Sequence, residues 1–420
     1  VAKLTLSAIK AVHFIGVGGI GVSALARLFL AEGKKVTGSD RAPSLITAEL
    51  SKLGVEIRTG VGEADLVIYT IAVPSDHPEL LEARQRHLPT LSYPEALGEL
   101  SREKYTIAVA GTHGKTTTTA MIAEVLIRAG LDPTVIVGSL FTPPNQAAAS
   151  PTNFIAGRSK YFVVEACEYR RSFLHLSPQV LVITNIDADH LDYYRDLADI
   201  QSAFAALVAK VPPDGAVITA KEYEQISLPI TLRVPGRHNQ QNAQAAIAVA
   251  KTLGLSEVVA RQHLANFRGT WRRFELKGET STGALVYDDY AHHPAEISAT
   301  LQGARELYPE RPIIAVFQPH LYSRTKQLLA DFAAALSGAD EVVLLPIYAA
   351  REPFDPRVSS ELLATAIGEK GTAVRTLPDF VAARDYLLGL PASRPPLLII
   401  MGAGDITELA GTLVFGSGRV

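Results

Sequence analysis

One cysteine, Cys167, stands among the 420 residues, so no intramolecular disulfide can form and zinc sites built on several cysteines are excluded. Excess charge of either sign is missing too: 40 basic residues face 43 acidic ones, a formal net charge of −3. General nucleic-acid binding would call for a basic surplus, so at most a local basic pocket for a phosphorylated small molecule remains. No apolar run nears the roughly 18 residues that span a membrane; the longest, such as 396–401, have the length of a buried strand. Residues 1–10 lack the basic-then-apolar pattern of a secretory signal. The expectation is a cytoplasmic protein with neither membrane nor nucleic-acid partner. With 47% apolar and 20% charged residues, no fixed-period repeat and no low-complexity tract, disorder, collagen and a coiled-coil rod are excluded as the main architecture.

What is present is a short apolar strand, a turn and an amphipathic helix, many times over, the mark of α/β domains with mostly parallel sheets. At about 150 residues per domain the length suggests three. The first, 1–101, opens with a strand at 11–17, a helix at 22–32 and strands at 35–38 and 66–69, and ends in a charged stretch, 97–103, that reads as a linker. The second, 102–279, has strands at 105–110, 161–165 and 180–185, helices at 115–129 and 239–253, and a loop at 143–150. The third, 280–420, has strands at 285–288, 313–317, 341–346 and 397–401.

Two glycine-rich turns carry the chemistry. Gly16-Val17-Gly18-Gly19-Ile20-Gly21 fits G-x-G-x-x-G between a strand and a helix, where glycines permit a tight turn and close approach of backbone to phosphate. Asp40 ends the next strand, where a ribose-binding carboxylate is expected. The motif points to a nucleotide diphosphate without saying which. Gly111-Thr112-His113-Gly114-Lys115-Thr116-Thr117 has the G-K-T core of a P-loop, with Val109 in the first glycine position of the full pattern. Backbone amides there would cradle β- and γ-phosphates, Lys115 would neutralise them and Thr116 would ligate Mg²⁺. Without phosphate, the buried lysine is expected to lack a partner. A dehydrogenase has no use for the second turn and a simple ATPase none for the first. Together they suggest ATP activating something attached to another nucleotide.

Further groups gather after the P-loop. Glu165 ends a strand within reach of a nucleotide-bound Mg²⁺, and Glu168 is a secondary candidate. Asp187, Asp189, His190 and Asp192 follow another strand at the edge where open α/β sheets place ligands, and His190 could bind a second metal ion. His238, Asn239 and Asn242 share one face of a helix start, where amides suit an adenine edge, although Asn239 also fits a helix N-cap.

The pattern resembles the ATP-dependent Mur ligases of peptidoglycan synthesis, and within them the ligases that join L-alanine to UDP-N-acetylmuramate. His13 to Gly21 resembles the UDP-binding start, with Gly38-Ser39-Asp40 after the second strand. Gly111 to Thr117 is similar to the family's shortened P-loop, which accounts for Val109. Glu165-Ala166-Cys167-Glu168 looks like E-A-D-E, Thr184 to His190 like T-N-I-x-x-D-H, and Gly236-Arg237-His238-Asn239 with Asn242 like the adenine-binding helix. The likeness continues through Phe267-Arg268-Gly269, Arg272-Arg273-Phe274-Glu275, Asp288 to Pro294, and Phe317-Gln318-Pro319-His320 with Arg324-Thr325.

The resemblance implies a Rossmann-like UDP-binding domain, a central P-loop ATPase-type domain and a C-terminal Rossmann-like domain. It implies that ATP phosphorylates the muramic carboxylate and that the amine of L-alanine attacks the acyl phosphate. UDP-substrate binding then falls to Gly16, Gly18, Gly19, Gly21, Ser39 and Asp40, and ATP binding to Gly111–Thr117 with Asn239 and Asn242. Thr116 and Glu165 hold one Mg²⁺, Glu165 and His190 a second, with Mn²⁺ as a substitute. Tyr290, His292 and Arg324 line the amino-acid pocket, and the catalytic set is Lys115, Glu165, His190, His292 and Arg324. A monomer or weak homodimer is expected. Arg273 is a further phosphate candidate.

Three positions depart from the pattern. Leu321 replaces an arginine that helps receive the incoming alanine, Ala291 replaces a glycine, and Cys167 replaces the aspartate of E-A-D-E. Leu321 keeps other acceptors open: glycine, serine or a preformed peptide. An NAD-dependent oxidoreductase, resting on the first turn and Asp40, and a nucleotide-gated binding module with slow ATPase activity are the alternatives of other classes.

Overall fold

A computed structural model describes residues 6–144, 151–191, 193–350 and 352–414. Residues 1–5, most of the 143–150 loop and Asp192, all read above, lie outside the described residues. The chain packs as two compact units, residues 1–231 with 241–268, and residues 232–240 with 269–420.

The first unit holds two sheets. In the first, β1 (Ala11–Ile15), β2 (Lys35–Ser39), β3 (Glu56–Ile57), β4 (Leu66–Tyr69) and β5 (Thr90–Ser92) lie in the order β3-β2-β1-β4-β5, all parallel. The second contains β6 (Tyr105–Ala110), β7 (Thr134–Phe141), β8 (Thr152–Ile155), β9 (Tyr161–Glu165), β10 (Val180–Ile183) and β11 (Ala216–Ile218). Their order is β11-β10-β6-β9-β7-β8, with only β8 antiparallel. In both sheets the strand order reverses at the strand that feeds a glycine turn, β1 and β6. This is the switch point at which open α/β sheets leave a crevice for a ligand.

A shared apolar core joins the two sheets: Phe14, Leu25 and Phe29 belong to the same buried cluster as Ile136, Phe154 and Phe162. The helix Ile20–Ala31, which begins at the first turn, packs on β7 and β8. Asn153 of β8, fully buried, donates its amide to Ile20 O and to Ser23 Oγ at the start of that helix.

The linker expected at 97–103 is instead part of a helix, Tyr93–Glu103. Its start carries a capping box: Glu95 Oε2 accepts from Ser92 N at 2.7 Å, and Ser92 Oγ accepts from Glu95 N. Pro94, Ala96, Leu97 and Leu100 go into the core while charges face outward, so the stretch is amphipathic rather than merely charged.

The second unit has one sheet: β12 (Glu275–Glu279), β13 (Leu285–Asp289), β14 (Ile313–Phe317), β15 (Glu341–Leu344), β16 (Ala373–Thr376) and β17 (Leu397–Met401). The order is β12-β13-β17-β14-β15-β16, with β12 antiparallel at one edge. Apolar clusters cover both faces, which explains why every residue of β17, at the middle, is apolar and buried.

Candidate active site

The P-loop turn leaves β6 and enters the helix Lys115–Arg128. Gly111 has φ +139°, and a Cβ there would sit 2.0 Å from Thr184 Oγ1, so only glycine fits. The segment after β10 straps the turn down. Thr112 N donates to Asn185 O at 3.1 Å, His113 N to Asn185 Oδ1 at 2.9 Å, and Asp187 N to Thr112 Oγ1 at 2.8 Å. Asp187 and Asp189 accept from the backbone N–H groups of Ala188 and His190, which shapes the loop. The carboxylates at 187 and 189 thus serve the loop that holds the phosphate turn.

Lys115 does not lack a partner. Its Nζ donates to Gly111 O at 2.6 Å, to Thr112 O at 2.9 Å and to Glu168 Oε1 at 3.0 Å, and Glu168 Oε2 is equally near. Glu168 is 3% exposed. Burial alone would lower the lysine pKa, yet the carboxylate beside it holds the ammonium above its ordinary value. Burial alone would likewise raise Glu168, but Lys115 and His190 outweigh it and keep the carboxyl below the usual range. The sequence expectation failed because the counter-ion lies 53 residues away in the chain.

His190, with φ +53°, places Nε2 3.6 Å from Glu168 Oε1, and its ring lies against Tyr169. The structure therefore groups His190 with Glu168. Glu165 accepts instead from Thr116 Oγ1 at 3.1 Å and from Gly138 N at 2.7 Å. Thr116 and Glu165 offer a hydroxyl and a carboxylate of the kind Mg²⁺ takes while keeping water and phosphate oxygens as its other ligands. Among the described residues no three or more His, Cys, Asp or Glu form a cage by themselves. The donor set fits an ion carried in on a nucleotide phosphate.

Cys167 opens into a cavity of about 270 Å³ lined by Tyr93, Leu97, Ile136, Glu165 and Phe173. Desolvation, with the charge of Glu168 near, pushes its thiol up to about 12.

On the helix Arg237–Thr252, Asn239 Nδ2 donates to Pro235 O at 2.6 Å and Asn242 Oδ1 accepts from Thr118 Oγ1 at 3.1 Å. Asn242 also stands where a Cβ on Gly114 would have to go, 2.6 Å from its Oδ1.

The first turn is built differently. Gly16 N and Val17 N both donate to Ser39 O, at 2.8 and 3.0 Å, and Gly18 N donates to Asp40 Oδ2 at 2.7 Å. One oxygen of Asp40 therefore closes the turn itself. Gly21 lies so close to Tyr93 that a Cβ would fall 2.6 Å from its ring. Ser39 Oγ donates to Glu79, a buried carboxylate on the helix Pro78–Gln85 that sequence reasoning passed over.

In the second unit, the end of β13 and the turn after it carry Asp288, Asp289, Tyr290 and His292. Arg272, 3% exposed, reaches Asp288 Oδ1 at 3.2 Å and donates to the carbonyls of Gly402 and Gly404. Asp289 accepts from Phe274 N and Ala291 N, both at 2.7 Å, and burial raises its pKa to about 6. Tyr290 lies between Arg272 and Arg273, their guanidinium carbons 5.2 and 5.3 Å from its ring centre, and Arg273 also pairs with Glu296 at 3.7 Å. His292 Nδ1 meets Tyr290 O at 2.9 Å, and its ring lies 6.1 Å from that of His320. Arg324 follows on the short helix Tyr322–Gln327, half-buried. Leu321 is buried at φ +71° just before that helix, and Ala291 is buried in the turn.

Glycine turns at the switch points of two successive parallel sheets, the second with lysine, hydroxyl and carboxylates converging, define a P-loop-type, nucleotide-dependent α/β enzyme. Three family profiles match the chain in succession: "Mur ligase family, catalytic domain" over residues 11–105, "Mur ligase middle domain" over 109–227 and "Mur ligase, glutamate ligase domain" over 272–404. The chain belongs to the Mur ligase family, whose ATP dependence implies ATP and a divalent metal ion.

It is 39% identical to the UDP-N-acetylmuramate–L-alanine ligase of Clostridium acetobutylicum, covering 95% of this chain and 96% of that one. Identity to the enzyme of the same name from Acetivibrio thermocellus is 41%, over 95% of this chain and 94% of the other. Among solved structures, the UDP-N-acetylmuramate–alanine ligase of Thermotoga maritima superposes with a TM-score of 0.80 at 31% identity, over 96% of this chain and 97% of that one. The murein peptide ligase of Psychrobacter arcticus gives 0.67 at 25%, over 97% and 100%.

Proposed function

We propose that this protein is an ATP-dependent ligase that joins L-alanine to the muramic carboxylate of UDP-N-acetylmuramate through an acyl phosphate, a cytoplasmic step of peptidoglycan synthesis. The observation that carries the reading is the pairing of two glycine turns in one unit, only the second of which has a lysine. One nucleotide is then held as a handle and the other is spent. Near-full-length identity to ligases of that name supports the same substrates.

In this reading, Lys115 shifts from the carbonyls of Gly111 and Thr112 onto the phosphates of ATP, with Glu168 keeping it charged. First-turn amides of the helix from Lys115 receive the phosphate oxygens, since such groups have no partners within the helix. Thr116 and Glu165 would hold a divalent ion, Mg²⁺ or Mn²⁺, and Glu165 with His190 a second. Such an ion, when bound, neutralises charge on the transferred phosphoryl. Asn239 and Asn242 read the adenine edge, and Gly16–Gly21 with Ser39 and Asp40 receive the UDP end of the substrate. Tyr290, His292 and Arg324 form the acceptor pocket, with Arg273 near Tyr290 as a further phosphate partner. Residues 1–101, 102–279 and 280–420 are the three domains, in a monomer or weak homodimer.

A carboxylate is a poor acyl donor, and phosphorylation supplies its leaving group. The amine of alanine adds to the acyl carbon, the tetrahedral adduct expels phosphate, and the amine gives up its proton. The oxidoreductase alternative is set aside, since three Mur ligase profiles match the chain and Lys115 has no part in hydride transfer.

Phosphate release from ATP and Mg²⁺ with UDP-N-acetylmuramate tests the reading, with L-alanine, glycine, L-serine or a preformed tripeptide as acceptor. Release that depends on both the nucleotide sugar and L-alanine is expected. Preference for another acceptor would keep the ligase and reassign its specificity, while independence from both substrates would leave a binding module with ATPase activity.

A further inference from the structure

Behind the first glycine turn lies a buried polar network that the reaction as described does not use. Glu79 is 6% exposed, Ser39 8%, Thr37 5% and His13 fully buried. Glu79 Oε2 accepts from Ser39 Oγ, while Oε1 accepts from Gly60 N at 2.5 Å and lies 3.4 Å from His13 Nε2. On its other side the imidazole shares a hydrogen bond with Thr37 Oγ1 at 2.8 Å. His77 Nδ1 approaches the carboxylate from the same helix start, at 3.9 Å.

A carboxylate is costly to bury unless its oxygens are matched, and here a hydroxyl and a backbone amide donate to them with an imidazole close by. Glu79 thus ties β1 through His13, β2 through Ser39 and the loop after β3 through Gly60. What this controls is Ser39. Its side chain is held by Glu79, while its carbonyl accepts both N–H groups at the tip of the glycine turn, Gly16 and Val17. The next residue, Asp40, holds Gly18 N. No other described contact of the turn's amides comes from outside this β2 end, apart from the turn's own Gly19 N to Gly16 O bond.

We propose that Glu79 is a positioning residue for the nucleotide-sugar substrate: acting through Ser39, it sets the glycine turn that receives the uridine diphosphate end. This rests on the reading of that turn given above. Burial alone would raise the Glu79 carboxyl, but His13, Ser39 and Gly60 hold it at about 2, so it stays an acceptor throughout the physiological range. Glutamine removes the charge and reverses one bond: with its carbonyl oxygen on Gly60 N, its NH₂ group would donate to Ser39 Oγ and turn the hydroxyl proton away.

The test is the kinetics of Glu79→Gln with each substrate varied in turn. KM for UDP-N-acetylmuramate is expected to rise about tenfold, the loss of one charge-assisted hydrogen bond, with kcat and KM for ATP within about twofold of the parent. Should this variant fail to fold by far-UV circular dichroism, Glu79→Asp, which keeps the charge but shortens its reach to Ser39 Oγ, carries the test, with the same selective rise expected. An unchanged KM for the nucleotide sugar would overturn the proposal. So would a fall in kcat with all three KM values moving together, the mark of general damage. Parent protein whose phosphate release ignores the nucleotide sugar would refute the functional reading, and the role of Glu79 with it; an active parent with an indifferent variant refutes the role alone.

Discussion

The two glycine turns look alike in sequence and are held by opposite means. At Gly16–Gly21 the amides of Gly16, Val17 and Gly18 are taken up by Ser39 O and Asp40, and a buried carboxylate, Glu79, braces the strand end from behind. At Gly111–Thr117 the strap from 184–187 takes the amides of Thr112 and His113, and the buried carboxylate, Glu168, grips the lysine itself. A glycine motif says that backbone can come close to phosphate. Which groups already occupy the turn decides whether it serves as a passive seat or as a charged grip on a group in transfer. By that measure the first turn is a seat and the second a grip.

Removing the grip is expected to have the largest effect. Lys115→Met should lower kcat on the order of 10²–10³-fold, by loss of charge stabilisation at the transferred phosphoryl. It should also destabilise the fold by about 3–5 kcal/mol, since Glu168 would be left buried and unpaired. Steady-state kinetics and urea titration measure the two. A modest loss of rate would make the turns equivalent and break the contrast.

Glu168→Gln comes next. It keeps the shape but removes the charge that raises Lys115, and kcat should fall about 10–100-fold, in line with a lost charge-assisted hydrogen bond. Binding of an ATP analogue, followed by calorimetry, should weaken in parallel. At the seat, Asp40→Asn should raise KM for the nucleotide sugar only about threefold, because that carboxylate is exposed and works in water, and leave KM for ATP alone. A change in KM for ATP would exchange the two turns' ligands.

The smallest effect at neutral pH belongs to titration. Glu79 sits at about 2 in the folded protein against 4.5 for an ordinary glutamate, so its contribution to stability is complete above about pH 4.5 and is lost as pH falls through 2. Acid unfolding of Glu79→Gln, followed by circular dichroism, should be less steep than the parent's across that window. Equal slopes would mean that the network is not held by charge.

Much of this was legible in the residues. Both turns and the strands that feed them follow from motif and apolar pattern, and the nearness of Thr116 to Glu165 agrees with what the Mur-type resemblance implies. The Mur-type resemblance, stated from motifs alone, agrees with the three matched profiles. What stayed hidden was pairing across distance. Nothing near Lys115 in sequence announces Glu168, and the lysine was expected to need phosphate for want of any other partner. Glu79 looks like an ordinary first-turn acid until the fold closes Ser39 and His13 over it. The helix Tyr93–Glu103 differs: its capping box at Ser92 and Glu95 is visible in the sequence, but the charges of 97–103 mask the apolar face. Strands such as Glu56–Ile57 and Ala373–Thr376 are short, partly exposed edges with little apolar pattern to betray them.

The central claim is that the grip spends ATP on a carboxylate presented from the seat. The most direct measurement is to label both oxygens of the muramic carboxylate of UDP-N-acetylmuramate with ¹⁸O, run the reaction with L-alanine, and analyse the phosphate released by mass spectrometry. One labelled oxygen in each phosphate is predicted, since the acyl phosphate passes one carboxylate oxygen to the leaving group. Unlabelled phosphate, with ATP consumed and the label retained in the nucleotide sugar, would contradict it.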